Sequence, residues 1–157
     1  MNIVLSRVDE RLVHGQVIAS WSKYLEIKRI IIIDDQLASD SFMTQVLSMA
    51  APAGITVEIL TVEKAAEKIE KDLAYGEKTM LLFKSLKYAL TLTELGVDIQ
   101  ELNIGNIGAG PSRKAISKNV FVSSAEVEIV KQLMEKGVFV YLQMVYSEAK
   151  VDIKSKI

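Results

Sequence analysis

Arg7-Val8-Asp9-Glu10-Arg11-Leu12-Val13-His14-Gly15-Gln16-Val17 follows the apolar run Ile3-Val4-Leu5 and leads into Val17-Ile18-Ala19. A short β-branched run, then charged residues, then His-Gly-Gln before a helical period reads as a strand, a loop and the start of a helix. In an open α/β sheet such a junction lies at the carboxyl end of the strand, where ligands bind. It holds the only histidine of the chain. His14 is a neutral nucleophile at pH 7, Arg7 and Arg11 supply guanidinium groups, and the helix start offers unpaired N–H groups, a set suited to a phosphoryl group. Gly15 lets backbone amides approach the same oxygens, with Gln16 beside it, and the helix dipole adds about 0.3–1 kcal/mol toward an anion. Asp9 is placed to orient the ring or the loop. The competing reading of a lone histidine is a surface or satisfied core residue, and its setting among two arginines, an aspartate and a glycine brings the chemical reading level with it.

Outward from this loop the chain alternates periods. Val17, Ile18, Trp21 and Leu25 mark one helical face, with Trp21 read as packing. Ile30 to Ile33 form a continuous β-branched run, the mark of a central strand covered on both faces. Asp34-Asp35 close it and carry three readings: loop and cap hydrogen bonding, a part in the phosphate loop, or a metal site. Ser39 or Asp40 is placed to cap a helix reaching Ala50, with Phe42, Val46, Leu47 and Ala50 inward. A third strand covers 55–60. The helix that follows turns Ala65, Ile69 and Leu73 to the core, and Thr79 to Phe83 make a fourth strand.

Lys84-Ser85 put a cation and a hydroxyl at that strand end, which reads either as an ordinary surface lysine or, if the sheet is parallel there, as a second phosphate ligand on the edge that holds His14. Tyr88, Leu92 and Leu95 follow as a helical face that stops at Gly96. Glu101 to Ile104 read as a fifth strand. The Gly105–Gly110 loop after it has G-x-x-G-x-G spacing, which is not that of a P-loop, and its basic end suits either a mobile shield or a plain turn. Residues 115–118 read as a helical turn, 120–122 as a sixth strand, Ser123 to Glu126 as a capping sequence before a helix packing Val127, Val130 and Leu133, and 138–145 as a last strand.

Six to seven strands interleaved with helices predict a three-layer α/β fold: an open, mainly parallel sheet with helices on both faces, in a single domain over 1–157. With 19 lysines and arginines against 20 aspartates and glutamates, charge gives no support to nucleic-acid binding. The absence of cysteine removes thiol catalysis, disulfides and cysteine-ligated zinc. No secretory core or membrane-length apolar run is visible, so a cytoplasmic location is expected.

The string at 7–17 resembles the signature of the IIB subunits of the mannose/fructose/sorbose-type sugar phosphotransferase system. The resemblance continues through Ile30 to Asp35, Ala51-Pro52-Ala53-Gly54, Leu82-Phe83-Lys84-Ser85, Asn103-Ile104-Gly105-Asn106-Ile107 and Gln143-Met144-Val145. It implies a phosphotransferase in which His14 accepts a phosphoryl group, through Nδ1, from a phosphohistidine of a IIA partner. The group then passes to a sugar held by the membrane subunits IIC and IID. It also implies a mixed sheet and peripheral association with the transporter; the apolar half of the composition leaves room for contact surfaces toward IIA, IIC or a second copy in a homodimer, and no metal, nucleotide or other cofactor is called for. The strings at 2–17 and 103–107 look closer to the N-acetylgalactosamine branch. Ile107 and Tyr146 stand where the family commonly has methionine and proline. The alternatives are a flavodoxin-like nucleotide binder and a receiver-like regulatory domain, the latter disfavoured because Thr61, not aspartate, follows strand three.

Overall fold

The computed structural model describes residues 1–72 and 76–157. β1 (Asn2–Asp9) leads into α1 (Gly15–Tyr24), β2 (Arg29–Ile33), the single turn α2 (Asp35–Ala38), α3 (Ser41–Met49), β3 (Thr56–Leu60), α4 (Val62–Lys71), β4 (Lys78–Phe83) and α5 (Leu86–Glu94). There follow β5 (Glu101–Asn106), the short strands β6 (Lys114–Ala115) and β7 (Phe121–Val122), α6 (Ser124–Glu135), β8 (Phe139–Leu142) and β9 (Val151–Asp152), with a 3-10 turn over Ile153–Ser155. Among the described residues seven strands form one sheet in the order β3-β2-β4-β1-β5-β8-β9, parallel except for β9, which runs antiparallel to β8. The expected three-layer, mixed α/β architecture is what this sheet and its helices make.

The two-residue strand period builds the layers. Ile30 and Ile32 of β2, with Met80 and Leu82 of β4, face Ile18 and Trp21 of α1, Leu37 of α2 and Leu47 of α3. Ile31, Ile33, Leu81 and Phe83 face the other way, into a larger core with Ala65 and Ile69 of α4, Leu92 of α5 and Val130 and Leu133 of α6. All four isoleucines of β2 are fully buried, as a strand covered on both faces requires. Among the described residues no helix is long and apolar enough to cross a membrane.

Several elements differ from the sequence reading. β1 runs four residues past Leu5, because the neighbours β4 and β5 give Arg7, Val8 and Asp9 ladder partners. In α3 Leu47 is buried as expected, but Phe42, Val46 and Ala50 are exposed, since the helix lies against the sheet on its Met43 and Leu47 side. Leu95 is exposed at the end of α5. Leu73 lies outside the described residues. Residues 114–115 pair with 121–122 as a separate hairpin, so no helical turn forms at 115–118 and the sixth strand is outside the main sheet. The last parallel strand stops at Leu142, after which Gln143 and Met144 turn inward to meet Arg7.

Capping follows the sequence closely. Asp34 accepts from the Leu37 amide, Asp40 from Met43, Thr61 from Lys64, and Ser123 and Glu126 form a reciprocal capping box at α6. Ser123→Ala should cost about 1 kcal/mol, seen as a Tm lowered by roughly 2–4 °C; an unchanged Tm would show that the box adds nothing to α6.

Candidate functional site

The loop between β1 and α1 is a tight turn held by one carboxylate. Asp9 closes β1. Its carbonyl accepts the Leu12 amide at 3.0 Å, and its Oδ1 accepts the Arg11 amide at 3.0 Å. This Asx-type arrangement fixes residues 9–12, with Leu12 in the left-handed region at φ 57°. The Leu12 carbonyl then lies 2.8 Å from Nδ1 of His14, which is half-buried. A ring nitrogen that close to a carbonyl oxygen holds the proton, so the neutral ring keeps its lone pair on Nε2. Nε2 is shielded and has no hydrogen-bond partner among the described residues.

His14 is also the N-cap of α1, and its side chain caps nothing. The first amides of α1 therefore stay open at Gly15 and Gln16, both exposed. Open amides, the positive end of a helix and an exposed guanidinium on Arg11 are the components of an anion site. The Arg11 side chain is 40% exposed, with only its Nε near a carboxylate, 3.5 Å from Asp9 Oδ1.

Arg7 is not in that set. The expectation that it binds phosphate is corrected by its burial: its side chain and that of Asp9 are both 0% exposed. Nη1 donates to Asn103 Oδ1 and to the Gln143 carbonyl, and Nη2 donates to Asp9 Oδ2 at 3.1 Å and to the Met144 carbonyl at 3.0 Å. The Trp21 ring lies 5.5 Å from the guanidinium carbon, and its indole N–H donates to the same Met144 carbonyl. Burial pulls the Arg7 pKa down and Asp9 opposes that fall. Tyr141, in register with Asn103 on β8, is pushed up to about 12 by burial, so its phenol stays protonated near neutrality.

Lys84 and Ser85 stand at the end of β4, next to the end of β1, where Val8 pairs with Phe83. They line a crevice of about 300 Å³ with Glu10 of the His14 loop, Asp34, Arg113 and Glu126. Ser85 is occupied as the N-cap of α5. Asp34 caps α2 and Asp35 accepts the Val62 amide at 2.9 Å, so the acidic pair serves loop and cap hydrogen bonding. The basic end of the glycine loop is tied down: Arg113 bonds Glu10 at 2.7 Å and Glu126 at 2.9 Å. Asn103, Gly105, Gln143 and Met144 carry no site signal in the sequence beyond their place in strings that bear the family resemblance.

The whole chain finds counterparts among known proteins. Residues 3–157 match the family model described as PTS system sorbose subfamily IIB component. The sorbose-specific EIIB component of Klebsiella pneumoniae is 35% identical over 157 residues, covering 100% of this chain and 96% of that protein. The mannose-specific EIIAB component of Escherichia coli (strain K12) is 32% identical over 160 residues, covering all of this chain and 50% of the relative. The crystal structure of the IIBSor domain of the Klebsiella pneumoniae sorbose permease superposes with a TM-score of 0.93 over 99% of this chain and 96% of that one.

Proposed function

The chain belongs to the sorbose subfamily of IIB components of the sugar phosphotransferase system, phosphocarriers in sugar uptake, and from that membership we propose that His14 is the phosphoryl carrier. The observation that carries this reading is the placement of the one histidine at an uncapped helix start, at the carboxyl edge of a parallel sheet, beside an exposed arginine.

In the proposed step the His14 lone pair attacks phosphorus in line as the N–P bond of the incoming phosphohistidine breaks, and the donor imidazole leaves with that bond's electron pair. The protein supplies position and charge: Arg11 and the amides of Gly15 and Gln16 hold the equatorial oxygens. Attack through Nδ1 requires the ring to leave the Leu12 carbonyl and its proton to pass to Nε2, because in that contact Nδ1 carries the proton and Nε2 the lone pair. The donor is a IIA domain, a reading supported by a relative named as a fused EIIAB component. The acceptor is a sugar presented by IIC and IID membrane subunits, with this chain docking peripherally on them. Relatives named for sorbose and for mannose have nearly equal identity, 35% and 32%, which fits a subunit that carries the phosphoryl group without reading the sugar.

Incubation with phosphorylated IIA should place one acid-labile, alkali-stable phosphate on the wild-type chain. Arg11→Ala should stay folded and slow transfer by about 10²-fold, the scale of losing one charge-stabilising donor. Unchanged transfer kinetics in Arg11→Ala would reduce that side chain to loop structure.

A further inference from the structure

We propose that Arg7 is the positioning residue of this site: seated against the bare backbone of Gly105, it fixes Asp9, and through Asp9 the turn that orients His14 and Arg11. The inference rests on the carrier role of His14.

The links are individually visible. Arg7 spends its four terminal N–H groups on fixed partners from three places in the chain: Asp9, Asn103, and the carbonyls of Gln143 and Met144. That leaves Asp9 Oδ2 committed to Arg7, while Oδ1 takes the Arg11 amide. A carboxylate anchored on one oxygen cannot swing away from the turn it builds with the other. The turn in turn aims the Leu12 carbonyl at His14 Nδ1.

The seat depends on Gly105. A Cβ there would fall within the Arg7 guanidinium, overlapping its carbon and both terminal nitrogens. The φ of Gly105 is ordinary, so the glycine answers to this close approach and not to backbone strain. The same seat gathers the segment after β8, since Met144 also receives the Trp21 indole N–H and Gln143 also receives the Asn103 amide. Arg7 therefore ties the His14 loop to two other strand ends.

The test uses the full chain, Gly105→Ala and Arg7→Lys, with fold checked by circular dichroism. Lysine keeps the charge but cannot reproduce the guanidinium fork. Both variants should retain KM for phosphorylated IIA within about twofold while kcat falls about 10²-fold, the scale of a misplaced reacting group. The His14 ring, unique in its ¹⁵N spectrum, should carry its proton on Nδ1 in the wild type and should move toward the tautomer mixture of free imidazole in both variants. Wild-type kcat and an unaltered ring spectrum in a folded variant would overturn the proposal. So would a wild-type ring protonated on Nε2, which removes the last link whatever the variants do. Failure of wild type itself to accept phosphate on His14 would instead refute the carrier reading.

Discussion

His14→Asn is expected to abolish phosphoryl acceptance while leaving the fold intact. Removing the group that makes the covalent bond should cost the largest factor available at this site, with residual transfer below about 10⁻⁴ of wild type. Stability should move the other way. His14 occupies the N-cap of α1 without donating or accepting any cap bond. Asparagine is among the favoured N-cap residues, so the variant should be as stable as wild type or gain up to about 1 kcal/mol. A residue that leaves a cap unmade keeps those amides for something else, and loss of activity with a gain in stability is the signature of that exchange. Denaturant unfolding and acid-labile labelling, measured on one preparation, check both halves. Stoichiometric labelling of His14→Asn would remove the histidine from the reaction.

Arg7→Ala should be the most destabilising single change in the polar part of the fold, by about 3–5 kcal/mol, because it leaves the Asp9 carboxylate buried without its counter-charge. That is a large share of the roughly 5–15 kcal/mol that holds a domain folded. The loss should appear as a lower urea midpoint with an unchanged slope. It exceeds what an exposed ion pair contributes, about 0–1 kcal/mol, so Lys150→Ala at the exposed pair with Glu101 serves as the control. Equal, small effects in the two variants would show that Arg7 and Asp9 reach water and are not a buried pair.

What the sequence could and could not reveal follows from the kind of signal each feature leaves. Ile30 to Ile33 and Met80 to Phe83 announce themselves because a strand covered on both faces must be apolar throughout. Asp34, Asp40, Thr61 and Ser123 are legible as helix starts because capping is local chemistry. His14 and Arg11 are legible because they lie in one contiguous loop. Arg7 is misread for the opposite reason: its partners Asn103, Gln143 and Met144 are 96 to 137 residues away, and an arginine two residues before an aspartate looks like part of a loop after the strand. The alternation that puts Asn103 and Gly105 on the side of β5 away from Leu102 and Ile104 is visible only once β5 is known to lie beside β1. Phe42 and Val46 fail differently, since in a helix with apolar residues on more than one side, spacing alone does not choose which side meets the sheet. β9 is two residues long and leaves no periodicity to read.

The carrier role of His14 is tested most directly by following that single imidazole by ¹⁵N and ³¹P NMR while the chain is mixed with phosphorylated IIA. A phosphorus resonance coupled to a ring nitrogen of His14, collapsing when the IIC and IID subunits and sugar are added, is the predicted result. Phosphate taken up with every His14 ring signal unmoved would contradict it.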